Sequence, residues 1–493
     1  MSSQESKSCT EYLELSRRQF LKASGIGAVA FSYPSWIPSV VYAGDACTDR
    51  DIVVAIFLRG AADGLTMCVP HAEPLYYSSR PTLAVPPPDS LDPNRCTDLD
   101  GFFGLPPVMT PLLPAYQAGH LCIVHAAGSP SGSRSHFDAM RFMEVGKIGD
   151  PNLITGWLGR HLATSVPMTA NPVLRGIGVG FGLQQSLEGG PLSLPVPDMD
   201  DYNLAGDPLT DIARRAALTQ MYALGAEPLK TSALNTQLTI DFLNAINFNG
   251  YVPAGGAVYP NHSFGTSLRS TAALIKADVG VEAVAIDLPG WDTHAEQGIL
   301  AGGAMWELMN PLALGLAAFH ADIFAGNGRN VTIVVMSEFG RRLQENGSIG
   351  TDHGHGNCMW IIGNHINGGQ VLTQWPGLAE GQLFQGRDLA VTYDWRDILG
   401  EIVVNRLQNP DLATIFPGFT PTFRGVTTAC RGDMNCDTAV NVEDVAPFVG
   451  AVMDPGAFDA QSKGCGAINA DMNNDGVVDG RDIQSFVKRV ITP

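Results

Sequence analysis

Ile52-Val53-Val54-Ala55-Ile56-Phe57-Leu58 runs straight into Arg59-Gly60-Ala61-Ala62-Asp63-Gly64. A continuous apolar run rich in β-branched residues, ending in a glycine-bearing loop, reads as a strand buried on both faces, the kind that parallel sheets contain. Three further runs share this character: Leu121-Cys122-Ile123-Val124-His125, Val281-Glu282-Ala283-Val284-Ala285-Ile286-Asp287 and Val331-Thr332-Ile333-Val334-Val335-Met336. Helical patterns lie between them, from Ser267 to Lys276 and from Met305 to Phe324. Strands alternating with helices predict a three-layer α/β domain with a mostly parallel sheet. Chemistry in such sheets gathers beyond the carboxyl ends of the strands. Polar groups stand there after each run: Asp63, then Ser129 to His136, then Asp292 and His294, then Glu338.

The chain has 493 residues, 45% hydrophobic and only 16% charged, so most of it can bury a core. A formal net charge of −19 repels phosphate backbones and anionic lipid surfaces, which argues against nucleic acid as a partner. Ser16-Arg17-Arg18-Gln19-Phe20-Leu21-Lys22, followed by an Ala/Gly-rich apolar stretch and Val41-Tyr42-Ala43, matches a twin-arginine export signal with a small-residue cleavage site. The stretch is too short and too broken by Pro34 and Pro38 to span a bilayer, and no later run looks like a spanning helix. The expectation is a protein exported already folded, to the periplasm, cell surface or medium. Nine cysteines occur without a CxxC, which argues against a zinc ribbon or a thioredoxin-type site.

Three segments follow: a signal at 1–43, an α/β domain at 44–425 and a module at 428–493. Pro81 to Pro107 is proline-rich and reads as a surface excursion. In the last segment ten carboxylates face five basic groups. Counting from Asp433, the residues Asp433, Asn435, Asp437, Asn441 and Asp444 fall at positions 1, 3, 5, 9 and 12 of a loop. Asp471, Asn473, Asp475, Asp479 and Asp482 repeat the pattern. Calcium takes six to eight oxygens, and this spacing wraps them around it, with the carbonyls of Ala439 and Val477 at position 7. An apolar-periodic helix follows each loop. Aspartate at position 12, one helix per loop and two loops in tandem resemble a type I dockerin repeat, related to the EF-hand. The resemblance implies a small all-α calcium-binding module and a cohesin-like or cell-surface protein as partner. Thr438 stands where the pattern prefers glycine.

Within the α/β segment stand Leu58-Arg59-Gly60-Ala61-Ala62-Asp63-Gly64-Leu65, Ser135-His136-Phe137, Gly290-Trp291-Asp292-Thr293-His294, Ser337-Glu338-Phe339-Gly340-Arg341 and Gly350-Thr351-Asp352-His353-Gly354-His355-Gly356. As a set these resemble the domain-of-unknown-function family 1501, a relative of the alkaline phosphatase and sulfatase superfamily. The resemblance implies an alkaline phosphatase-like fold over most of residues 44–425.

Residue chemistry points the same way. Carboxylate and neutral imidazole together make zinc and manganese sites, and Asp63, Asp292, His294, Glu338, Asp352, His353 and His355 are the candidate ligands. The superfamily's Ser-Asp-His-Gly becomes Ser337-Glu338-Phe339-Gly340 here, so Glu338 can still ligate but Phe339 cannot; either His353 or His355 replaces the lost ligand, or the site holds one metal or none. Ser135 opens a helical pattern from Phe137 to Val145 and is either a nucleophile or a helix cap, with His136 and Arg134 as anion contacts. Cys68, among apolar neighbours, is the poorer nucleophile. Arg59, Arg341 and Arg342 are candidate phosphate or sulfate clamps, or ion-pair partners. Two functions stay open: a metal-dependent hydrolase of phosphate or sulfate esters, and a non-catalytic exported scaffold that keeps the fold and docks through its C-terminal module.

Overall fold

The strands of the main sheet are β1 (Ile52–Arg59), β2 (Leu121–Gly128), β3 (Gly176–Val179), β4 (Ser193–Pro195), β5 (Ala283–Pro289) and β6 (Val331–Met336). A short ribbon follows, β7 (Arg341–Glu345) with β8 (Thr351–His353), and then β9 (Asn357–Ile362), β10 (Gln370–Leu372) and β11 (Tyr393–Asp394) return to the sheet. Its order is β10-β2-β9-β6-β1-β5-β3-β4, with β11 also beside β2. Every pairing is parallel except those that β9 makes with β2 and β6. The computed structural model describes residues 50–325, 330–428, 431–435, 440–461, 466–473 and 477–491. The twin-arginine motif, the Val41-Tyr42-Ala43 site, Asp437, Thr438, Ala439 and Asp475 lie outside the described residues.

The four apolar runs all enter the sheet, as strands β1, β2, β5 and β6. Along β1, Val54, Ile56 and Leu58 face one core and Val53, Ala55 and Phe57 the other, so each face needs its own cover. Helices α3 (Ser263–Lys276) and α4 (Ala304–Ile323) cover the first, through Phe264, Leu268, Ala272, Met309, Leu312, Leu316 and Phe319 at helical spacing. On the second lie α2 (Trp157–Thr164) and α5 (Trp395–Asn405), through Trp157, Leu158, Leu162, Trp395, Ile398, Leu399 and Ile402. Between strand β2 and α2 stands α1 (His136–Val145), capped by Ser135 and closed by Gly146 in the left-handed region at φ 67°. The proline-rich excursion is not merely superficial. Leu83, Val85, Cys96 and Leu105 are buried within it, although Leu91 is fully exposed.

The chain divides at Thr427. Arg50–Thr427 makes one compact unit, and residues from Thr428 onward fall in another. The second contains α6 (Val445–Met453) and α7 (Ile483–Ile491), whose Phe448 and Phe486 stack at 3.8 Å within a small core of Met434, Val445, Ala467 and Met472. Among the described residues no helix is long and apolar enough to cross a membrane.

Candidate metal centre

Register brings the site together. Arg59 pairs with Pro289 across β1 and β5, and Phe57 pairs with Met336 across β1 and β6. β1 and β5 therefore end level, with β6 ending opposite Phe57, and the loops at 60–63, 290–294 and 337–340 leave the same edge of the sheet. Gly60 lets two of them touch: at φ +118° it has no Cβ, which would fall 2.6 Å from the Asp292 amide nitrogen. Because β9 runs the opposite way, the chain enters it from this same edge, and the preceding β8 carries His353 into the group.

Arg341 ties the loops. It is buried, and its guanidinium donates to the carbonyls of Ala61 (2.6 Å), Thr351 (3.0 Å), Trp291 (2.8 Å) and Gly60, and to Asp292 Oδ1 (2.7 Å). A guanidinium spent in this way organises the site and leaves no fork for a substrate anion. Arg59 likewise pairs with Glu144 and Asp287, and Arg342 with Asp352 at 3.3 Å.

Three imidazoles and a carboxylate converge above that clamp. His353 Nε2 lies 3.0 Å from His136 Nε2, 2.9 Å from His294 Nε2 and 3.1 Å from Asp292 Oδ1. Asp292 Oδ1 is 3.0 Å from His294 Nε2 and 3.5 Å from His136 Nε2. Each ring turns its other nitrogen to an acceptor: His136 Nδ1 to Glu338 Oε1 (2.7 Å), His353 Nδ1 to the Arg134 carbonyl (3.0 Å) and His294 Nδ1 towards Asp352 Oδ1 (3.6 Å). His136, Asp292 and His353 form the group of potential metal ligands found among the described residues. Burial raises the Asp292 carboxyl, but the hydrogen bond and charge of Arg341, with His353 and His294, outweigh it and hold the group below its usual range. Burial pushes the His353 imidazole down, while the Glu338 hydrogen bond pulls His136 up.

The remaining candidates lie differently. Asp63 is fully buried in an ion pair with Arg80 (Nη2 to Oδ1 3.1 Å) and accepts from Thr66 (2.8 Å) and Gln297 (2.7 Å), so it belongs to the scaffold. His355 stacks on Phe384 at 3.9 Å, and burial lowers its pKa to about 4. Glu338 is buried behind His136 and reaches the group only through that ring. Asp352 stands at the rim, held by Asn346 (3.1 Å). Ser135 Oγ accepts from the Asp138 amide at 3.4 Å, the capping arrangement. Cys68 is buried, and burial pushes its thiol well above the ordinary range.

Residues 251–401 match the family described as Protein of unknown function (DUF1501). The DUF1501 segment carries Asp292, His294 and His353, together with Arg341 and Glu338; His136 comes from the chain before it. No curated protein matches the sequence.

Proposed function

We propose that the Arg50–Thr427 unit holds one divalent metal ion, zinc or manganese, with His136, Asp292, His294 and His353. We propose further that it hydrolyses phosphate or sulfate esters outside the cytoplasm. The observation that carries the metal reading is the crowding of the Nε2 atoms. The 3.0 Å contact between His136 Nε2 and His353 Nε2, each ring having its Nδ1 at an acceptor, sets lone pairs against one another unless a cation lies between them. Ligands ~2.0–2.1 Å from zinc in a tetrahedron stand about 3.3 Å apart, close to the 3.0, 3.1 and 3.5 Å separations among His136, His353 and Asp292. Three imidazoles favour zinc over manganese.

Bound there, with a fifth position taken by the ester oxygen, the ion would supply Lewis-acid polarisation. Asp292 and His294, with side chains 46% and 44% exposed, leave one side of the group open to solvent and to a substrate. Arg341 and Glu338 hold the loops and the His136 ring from beneath. Ser135 remains the candidate nucleophile by its place next to His136 in the sequence, while its Oγ caps α1. The scaffold reading draws support from the arginines, which spend their donors on carboxylates and carbonyls.

Elemental analysis of the purified chain tests the proposal: about one equivalent of zinc-class metal is expected. A metal-free chain that takes up none ends it. Full metal content without turnover of aryl phosphates or sulfates leaves the scaffold reading.

For the C-terminal unit we propose two calcium sites and a dockerin-like role in docking a cohesin-like or cell-surface protein. Matching loop geometry supports it. Asp444 accepts from the amides of Met434, Asn435 and Asn441 at 2.7, 3.2 and 2.8 Å. Asp482 accepts from those of Met472, Asn473 and Asp479 at 2.8, 3.1 and 2.9 Å. Calcium titration of the full chain should reveal about two sites, and Asp471→Ala should remove one of them. No calcium uptake would defeat the loop reading. Export is proposed from the Arg17-Arg18 pair: changing both to lysine should retain uncleaved precursor in the cytoplasm, and normal export of that variant refutes it.

A further inference from the structure

Glu338 follows the end of β6, at the sheet edge where the candidate ligands gather, yet its carboxylate is wholly buried behind His136. Oε1 faces His136 Nδ1 at 2.7 Å and accepts the Gly60 amide at 2.9 Å, while Oε2 faces Ser337 Oγ at 2.9 Å. Ser337 Oγ also lies 2.6 Å from the Leu58 carbonyl and accepts the Ala62 amide at 3.0 Å, so its single proton serves either that carbonyl or Glu338. Around this carboxylate stand one neutral amide, the Ser337 hydroxyl oxygen and the His136 ring, which is its one ion-pair partner among the described residues. A buried carboxylate without a cationic partner is costly. The cost falls if a cation sits on the far side of the imidazole, since carboxylate, ring and metal then stand in line.

We propose that Glu338 is the positioning residue of the centre: it fixes His136 with Nδ1 protonated, aims the Nε2 lone pair at the ion, and lends the ring negative charge without touching the metal. This rests on the metal reading above. Asp352, at 3.6 Å from His294 Nδ1 and 41% exposed, serves the equivalent place weakly. The three rings are thus backed unequally: a buried carboxylate for His136, a backbone carbonyl for His353 and a more distant, exposed carboxylate for His294.

Cobalt(II) and zinc affinities of the full chain, measured by chelator competition, test this. Glu338→Gln should weaken both by about 10–100-fold, and Asp352→Asn by less. The cobalt absorption spectrum should keep its shape in Glu338→Gln, because the ligand set is unchanged; a changed spectrum would mean that Glu338 ligates directly and overturns the proposal. Equal affinity of Glu338→Gln and wild type also overturns it and leaves the metal site standing. A wild-type chain that binds no cobalt or zinc overturns both readings together. Should Glu338→Gln fail to fold, nitrogen-15 NMR of the metal-free wild type decides: His136 protonated on Nδ1 supports the proposal, and the opposite tautomer overturns it.

Discussion

The His353→Ala chain is expected to lose more than ~100-fold in zinc affinity and to keep its fold. Removal of an orienting partner alone costs a metal site 10–100-fold, and His353 is more than that. Its Nε2 is within 3.1 Å of all three other candidate ligands, so it stands at the middle of the group. Without it, His136 and His294 keep only Asp292 as a common neighbour. The ring packs beside Phe339, with centroids 5.1 Å apart, and remains half-buried, so truncation leaves a small gap near the surface. Chelator competition measures the affinity and circular dichroism the fold. A variant with wild-type metal content would show that the ion, if any, lies elsewhere.

Arg80→Ala should destabilise the main unit by about 3–5 kcal/mol, the cost of removing one member of a buried ion pair. Arg80 is fully buried and holds both Asp63 oxygens, the carbonyls of Leu343 (2.8 Å) and Arg342 (2.8 Å), and Thr66 Oγ1 (3.2 Å). Its loss strands a buried carboxylate and two carbonyls. Burial raises the Asp63 carboxyl, and Arg80 more than reverses this through charge and hydrogen bonds. Paired replacement, Asp63→Asn with Arg80→Met, should cost less than Arg80→Ala alone, because no charge is then left buried. Urea unfolding decides; a loss below ~1 kcal/mol would place the pair among surface-like bridges.

These two residues also show where the sequence stops being readable. Asp63 follows a strand, as a ligand should, but its partner Arg80 borders a proline-rich stretch with nothing in it to announce a buried cation. The strands β1, β2, β5 and β6 were legible because burial on both faces demands unbroken apolar runs. Strand β9, Asn-Cys-Met-Trp-Ile-Ile, is not among the apolar runs singled out from the sequence: it follows a glycine-histidine loop and has β-branched residues only at its end. Its reversed direction is what delivers His353. His136 was visible as a histidine opening a helix after a strand. That it stands among the candidate ligands, and not merely as an anion contact, depends on its Nδ1 meeting Glu338, 202 residues away, a match only tertiary structure makes.

Separation along the chain has a thermodynamic consequence. His136 and His353, in contact through their ring nitrogens, are 217 residues apart, and His294 and His353 are 59 apart. No short peptide can present this constellation, so an ion that needs all four groups has affinity for the native unit and little for the unfolded chain. Its binding then adds to stability by mass action, about 2.7 kcal/mol at a free concentration one hundredfold above Kd. Ion occupancy and folding become linked quantities. On the proposed readings of export and metal, the compartment in which the chain folds, rather than the one in which it works, is where the identity of the ion would be chosen.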